Sequence, residues 1–539
     1  MQYYIPRNTP TTKLNRHWDF CVGSGNAASA LRTDYTRQLK FIHDELGIKR
    51  VRAAGIFNDE LHTINLLSSA FPVPEAEKFY ECSFWQCGVV YDNILSAGMQ
   101  PFVEIGRMPK ALSDPNTPSS FFGKTQGLPR DEMQWQAYIK RYLHFLIHRY
   151  GADEVEQWFF EFWNEPDLSF VFFSGTQNDY FRFYEITARA FREVNPNLKI
   201  GGPATSNSKW IRSFLAYCKE HDVPVDFITT HQYAGDPLGG VEATTEEQDL
   251  LETAQSKAEA AKEDLEYRKA LINELLKKQT DHSLLAGFRA FMGDPSEDQD
   301  IKDGLFARNS AIVKEQAEGY PVYYTEWGGN AGNAAYTNDT KKIASYAAKY
   351  ALAVEQNVTG SSYFLFSDVY SNMFCEEFYG GFGMLTKQGI PKPAFYALKL
   401  LTQIGSDRMI LRDENGTDLI WHDIAVAGFR SDEGIQLLLN RQKMKLFPEL
   451  SAESTTITIE LERAPTKVTI QRIDDTHCNP MSVWEGMGSP IDLNHQEIAH
   501  IKSNSALFEE EFPAEFKDGK LTLQASLKAN DVNLIKIYL

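Results

Sequence analysis

Cysteine is sparse, with six in 539 residues: Cys82 and Cys87 stand too far apart for a C-x-x-C pair, and Cys21, Cys218, Cys375 and Cys478 are scattered singly. Such spacing points to buried free thiols and away from a metal site, and it does not decide the compartment. Basic residues are outnumbered by acidic ones, 54 to 73, for a net charge of −19. A nucleic acid or an anionic membrane needs a basic face to offset phosphate repulsion, so neither is an expected partner and an uncharged ligand fits better. Long hydrophobic runs are missing too, since no stretch approaches the roughly 18 apolar residues that span a bilayer. The start, Met1-Gln2-Tyr3-Tyr4-Ile5-Pro6, lacks a basic head followed by an apolar segment. As written, the chain reads as soluble and cytoplasmic; a periplasmic or secreted protein stripped of its signal would read the same way.

What is present is apolar and aromatic content, 43% and 13%, over a length that can bury a large core and divide into two or more domains. Short apolar runs alternate with long amphipathic stretches, the order that builds parallel strands joined by helices. Eight strands are expected near Trp18–Val22, Arg50–Ala53, Pro101–Ile105, Gln157–Trp163, Lys199–Gly202, Phe227–His231, Val322–Glu326 and Ser362–Phe366. Helices are expected at Tyr35–Leu46, Met133–Tyr150 and Asp179–Asn195, each with apolar residues at three-and-four spacing. That alternation closes most simply into an α/β fold, a (β/α)8 TIM barrel over residues 15–405 with its active site at the C-terminal strand ends.

From residue 406 to 539 the pattern changes to short period-two strands, as in Ile435–Leu439, Thr455–Leu461, Lys467–Ile473 and Asp531–Tyr538. This predicts an appended C-terminal β-sandwich domain that supports packing, to which residues 1–14 add a strand. A helical insertion of about 242–300 follows strand six. Leu251, Ala254, Ala258, Ala261, Leu265, Ile272 and Leu275 form an apolar seam in it, with Arg268 at one heptad position. The seam demands a partner, and two readings stand: the helix lies against its own barrel or a second helix near Leu284–Met292, or it belongs to a protruding hairpin that joins subunits in a homo-oligomer or edges the substrate cleft.

Two glutamates fall at strand ends beside tryptophans, Glu165 in Phe162-Trp163-Asn164-Glu165-Pro166 and Glu326 in Tyr323-Tyr324-Thr325-Glu326-Trp327. A single strand-end Glu reads as a helix cap, but two facing carboxyls are what a barrel glycosidase needs, one to attack the anomeric carbon and one to protonate the leaving oxygen. Together with Cys21-Val22-Gly23-Ser24-Gly25, Gly380-Gly381-Phe382-Gly383 and the run Gly389-Ile390-Pro391-Lys392-Pro393-Ala394-Phe395-Tyr396-Ala397, these motifs resemble glycoside hydrolase family 39. That family includes β-xylosidases and α-L-iduronidases.

The resemblance implies Glu165 as general acid/base and Glu326 as nucleophile in a retaining double displacement through a covalent glycosyl-enzyme intermediate. It implies a small carbohydrate or oligosaccharide substrate, with no cofactor and no metal. Asn164 would bond the sugar 2-hydroxyl, His231 and Tyr233 would flank the nucleophile, and Trp163 and Trp327 would wall the mouth. Burial and the second carboxylate are expected to raise the Glu165 pKa.

The chain also departs from the family pattern. Ala54 stands where a sugar-contacting His is usual, Phe364 where a Trp is usual, and Ser371 and Asn372 where an acidic pair is usual; Glu376 and Glu377 are candidates to refill that pair. A β-xylosidase-like exo-glycosidase is the first expectation. The alternatives are another sugar (α-L-arabinopyranoside, β-glucoside, β-galactoside) or a catalytically weak carbohydrate-binding relative. No Lys or Arg is evident beside the candidate loops to hold an iduronate carboxylate.

Overall fold

The computed structural model describes residues 2–66, 80–115, 126–168, 172–234, 285, 304–371, 373–443 and 451–539. The expected helical insertion, Leu285 apart, and Asn372 lie outside the described residues.

Eight strands form a closed barrel: β1 Cys21–Asn26, β2 Arg50–Ala54, β3 Gln100–Ile105, β4 Phe159–Phe162, β5 Lys199–Thr205, β6 Phe227–Tyr233, β7 Val322–Gly328 and β8 Gly360–Tyr363. Every neighbouring pair is parallel and in chain order, and β8 returns to β1 with Ser362 opposite Cys21. Helices α1 Thr33–Leu46, α2 Trp85–Ser96, α3 Glu132–Tyr150, α4 Gln177–Val194, α5 Ile211–Glu220, α6 Leu305–Gln316, α7 Lys341–Ala353 and α8 Pro393–Thr402 connect or follow the strands. Their ends are written in the sequence. Thr176 and Asp179 form a reciprocal capping box at the start of α4, and Gly47 ends α1 in a left-handed conformation.

Side chains alternate along each strand, which layers the barrel interior. At the N-terminal end Phe102, Phe159, Phe227 and Tyr323 pack with Cys21 and Phe20 into an apolar plug. The Arg50 guanidinium lies 4.7 Å from the Phe20 ring centroid and 5.2 Å from that of Phe159, which lets a cation sit in this floor without a carboxylate. Two residues further along the same strands come Arg52, Glu104, Glu161 and Thr325, so the interior turns polar toward the C-terminal tips. The plug closes one end of the barrel, and the polar layer faces the other.

Two further sheets complete the chain. One orders Gln2–Ile5, Glu453–Glu460, Lys520–Leu527 and Ala514–Lys517; the other orders Glu510–Glu511, Lys467–Ile473, Val532–Tyr538, Gly434–Asn440, Ala425–Ser431, Asp407–Met409 and Thr11–Lys13. Pairing is antiparallel except for Gln2–Ile5, which runs parallel to Glu453–Glu460. Ile5, Ile457 and Leu523 from the first sheet share an apolar core with Leu437, Ile470 and Ile535 from the second. The first residues therefore supply a strand to each sheet, where one strand was expected. Polar contacts tie these sheets to α7 and the segment after it: Ser345 Oγ donates to Asn440 Oδ1 at 2.7 Å, and Arg408 Nη1 lies 2.6 Å from Glu355 Oε1.

All six cysteines are free, with Cys82 half-buried and Cys375 exposed, so buried thiols describe only the other four. Among the described residues no helix is long and apolar enough to cross a membrane.

Candidate active site

Glu165 lies three residues past the end of β4, in a turn whose backbone is held in a strained shape. Trp163 and Glu165 both adopt left-handed φ values, 68° and 45°. Non-glycine residues persist there only where their surroundings over-determine them. Here the Trp163 N–H donates to Ile105 O at 3.0 Å and the Glu165 N–H to Ala204 O at 2.8 Å, so the tips of β3 and β5 pin the turn. Glu326 sits inside β7 itself, two residues before its end.

The two carboxyls converge. Oxygens of Glu165 and Glu326 and a ring nitrogen of His231 all lie within 4.8 Å of one another. His231 Nδ1 is 2.9 Å from Glu165 Oε1 and 3.8 Å from Glu326 Oε2. Burial lowers the His231 pKa, so its ring is neutral. A neutral Nδ1 accepts from a protonated Glu165 or, in the other tautomer, donates to its carboxylate. The same contact therefore serves both protonation states of Glu165. Burial, and then the charge of Asp167, push the Glu165 pKa up to about 8, against the pull of Arg52 and Arg107. At neutral pH Glu165 carries its proton.

Glu326 has a different environment, with a separate donor for each oxygen. Arg52 Nη1 donates to Oε1 at 2.8 Å and the Tyr233 hydroxyl to Oε2 at 2.8 Å. Arg52 is the hub of the site, since its Nε donates to Glu161 Oε2 at 2.5 Å, its Nη2 to Asn164 Oδ1 at 2.9 Å, and Glu104 Oε2 lies 3.2 Å from Nη2. Thr325 Oγ1 holds the other oxygen of Glu161 at 2.6 Å. With its oxygen committed to Arg52, Asn164 keeps its NH2 as the group that can donate to a ligand. The surrounding carboxylates raise the Arg52 pKa despite complete burial, and burial raises that of Glu104 to about 7.

The spacing of Glu165, His231 and Glu326 is also one that could hold a cation. His231 Nδ1 is engaged with Glu165 and both Glu326 oxygens with Arg52 and Tyr233, so an ion bound to those atoms would have to displace those bonds. The closeness fits two carboxyls acting on one bond better than a metal centre.

The Glycosyl hydrolases family 39 model matches residues 1–282 and 296–520 of the chain. The chain belongs to glycoside hydrolase family 39. It is 30% identical over 503 residues to a β-xylosidase of Caldicellulosiruptor saccharolyticus, covering 92% of this chain and 90% of that one. It is 28% identical over 531 residues to a β-xylosidase of Geobacillus stearothermophilus, covering 97% and 93%. A solved family-39 β-xylosidase from Caulobacter crescentus shares the fold with a TM-score of 0.71 at 24% identity, covering 100% of both chains.

In this family-39 glycosidase the structure brings Glu165, Glu326, Asn164, His231 and Tyr233 together, and it treats the other expected site residues differently. Trp163 and Trp327 are 0% exposed and wall no mouth. The Trp163 indole donates to Phe172 O at 2.9 Å and packs against Phe173 and Phe183. Trp327 follows Glu326 on a strand and so points the opposite way, onto Phe306 and Tyr363. Glu377 does not refill the missing acidic pair. It is buried and accepts from the Gln388 N–H at 2.9 Å, which commits it to the turn before α8.

Phe364 does stand at the mouth, half-buried, its ring 5.4 Å from Phe382 and 6.5 Å from Tyr233. A buried cation holds this wall. Lys392 Nζ meets Asp339 at 2.6 Å, Asp368 at 3.1 Å and Gly381 O at 2.7 Å, while the N–H groups of Gly380 and Gly383 donate to the same two aspartates.

Sequence reasoning passed over Arg52, Glu104, Glu161 and Arg107. One signal was available for the first: an arginine two residues into an apolar barrel strand has to point inward to carboxylates, because the outer face packs against helices.

Proposed function

We propose that this family-39 glycosidase is a retaining, exo-acting, β-xylosidase-like enzyme in which Glu326 is the nucleophile and Glu165 the general acid/base. The observation that carries the reading is the pair of carboxyl oxygens within 4.8 Å of each other in unlike surroundings. Retaining pairs stand about 5–5.5 Å apart, whereas inverting pairs need about 6.5–9.5 Å to admit a water. Glu326, fixed by Arg52 and Tyr233, attacks the anomeric carbon as Glu165 gives its proton to the leaving oxygen. The covalent ester that forms removes the Glu326 charge, and Glu165, now ionised and facing the neutral His231, takes a proton from the water that hydrolyses it. The Asn164 NH2 is suited to bond the 2-hydroxyl, a contact that strengthens as charge builds at the anomeric centre.

β-Xylosides are the substrate class because both long-matching curated relatives are named as β-xylosidases. We assign the barrel to residues 15–405 and its support to a β-sandwich of 406–539 completed by residues 1–14. The segment 242–278 is our candidate for joining subunits, and an unchanged solution mass after deletion of 251–276 would remove it from that role.

The test is a panel of nitrophenyl glycosides (β-xyloside, α-L-arabinopyranoside, β-glucoside, β-galactoside) with Glu165→Ala and Glu326→Ala controls. Xyloside release that Glu326→Ala abolishes supports the reading. Preferred release from another sugar corrects the substrate, and binding without release by the folded protein leaves a carbohydrate-binding relative.

A further inference from the structure

Arg107 follows the tip of β3 and is 8% exposed, yet its Nη1 has no hydrogen-bond partner among the described residues. None of the described carboxylates approaches it within salt-bridge distance; its guanidinium lies 4.8 Å from the centroid of the Phe172 ring, in the segment that follows Glu165. The Phe172 ring covers one face of the guanidinium, as Phe20 does for Arg50, but it leaves Nη1 without an acceptor, and a buried donor is costly until a group accepts from it. Arg52 is fully consumed by Glu161, Glu326 and Asn164, but Arg107 is not. The Trp163 N–H bonded to Ile105 O sets the tip of β3 against the turn that carries Glu165, and Phe172 lies just beyond that same turn, so Arg107 stands on the acid's side of the pocket. The acid stands beside the leaving oxygen, so a cation on its side of the pocket faces the leaving group.

We propose that Arg107 is a specificity-determining residue that binds an anionic substituent, a carboxylate or a sulfate ester, on the leaving-group side of the scissile bond. The inference rests on the roles given above to Glu165 and Glu326. It makes the natural substrate a glycoside whose aglycone is an acidic sugar. The geometry corrects the expectation that no cation stands beside the candidate loops. The other carboxylates do not forbid an anion here: Glu161, Glu104 and Glu326 are gathered on Arg52, and Glu165 is neutral at working pH. The planar guanidinium suits both anions, since it presents paired N–H groups to two oxygens at once.

The experiment is titration calorimetry of the full chain at low salt and pH 6, with xylonate, glucuronate and a xylose sulfate ester against neutral xylitol and xylose. At least one anion should bind roughly tenfold or more tightly than its neutral counterpart, as expected of a charge-assisted pair. The preference should vanish in Arg107→Met and persist in part in Arg107→Lys. Carboxylate and sulfate arms name the source. Equal binding of anions and neutral ligands, or a preference that survives Arg107→Met, overturns the proposal. Should the Met variant fail to fold, ionic strength decides, because a contact with one cation weakens as salt screens it, and a salt-insensitive preference overturns the idea. Nitrophenyl xyloside release is measured on the same preparation, so its absence would sink the β-xyloside reading without touching the anion result.

Discussion

Replacing Arg52 separates its charge from its shape. The guanidinium makes hydrogen bonds of 2.5, 2.8 and 2.9 Å to Glu161, Glu326 and Asn164 through three different nitrogens. In Arg52→Lys the charge remains, but one ammonium cannot reach three groups set around a planar fork, so two bonds are lost. At about 1.5–3 kcal/mol per charge-assisted bond, this puts about 3–6 kcal/mol at stake. If half falls on the nucleophile in the transition state, kcat/KM drops about 10- to 150-fold. Arg52→Met also strips the countercharge from Glu104 and Glu161, both 0% exposed, and an uncompensated buried charge costs about 3–5 kcal/mol of stability. The assays are kcat/KM on a nitrophenyl glycoside and urea denaturation of both variants. A Lys variant within threefold of the parent, or a Met variant with an unmoved denaturation midpoint, would refute the hub role.

The remaining predictions concern proton balance and the aromatic wall. With Glu165 raised from 4.5 to about 8, kcat/KM should fall as pH rises through about 8, and Asp167→Asn should shift that limb to lower pH by removing the second-largest cause of the shift; an unmoved limb would dismiss Asp167. Between those pH values the folded protein holds a proton that the unfolded chain releases, so this carboxyl's contribution to stability falls as pH rises and is lost above about 8, which denaturation across pH will follow. Tyr233→Phe removes the hydroxyl 2.8 Å from Glu326 and should lower kcat/KM about tenfold or more while the melting temperature changes little; parent-like turnover would show that the bond is idle in the transition state. Lys392→Met leaves Asp339 and Asp368 buried without their cation, so stability should fall about 3–5 kcal/mol and KM should rise as the Phe364–Phe382 wall loosens; an unchanged KM in folded protein would disconnect the clamp from the site.

The barrel was legible because its strands are covered on both faces and read as near-continuous apolar runs between amphipathic helices. Strand ends were less so. The first strand was expected at Trp18–Val22 and runs Cys21–Asn26, because Gly23 and Gly25 look like a turn. At Gly23 the glycine is needed inside the strand: a Cβ there would lie 2.7 Å from Phe364. The last strand ends at Tyr363, and beyond it the Leu365 N–H turns to Phe382 O while the Phe366 N–H keeps a bond to Gly23 of β1.

Within the site, the two glutamates could be found from strand-end position and neighbours. Arg52 could not be joined to them, since its partners lie 109 and 274 residues away and nothing local encodes the meeting. Trp327 misled because adjacency to Glu326 in sequence was taken as adjacency in the pocket, while alternation along a strand puts neighbours on opposite faces. Arg107 was missed for a similar reason, because only the closed barrel sets the residue after the tip of β3 beside the turn that carries Glu165.

The most direct test of the account is to trap the glycosyl-enzyme. Incubation with a 2-deoxy-2-fluoro-β-xyloside bearing a good leaving group slows both steps, the second more, and intact-protein and peptide mass spectrometry read the result. One fluoroxylosyl group per chain is expected, with loss of turnover in step with labelling and the label on Glu326. Labelling of a different residue, or steady turnover of the reagent with no adduct, would contradict the account.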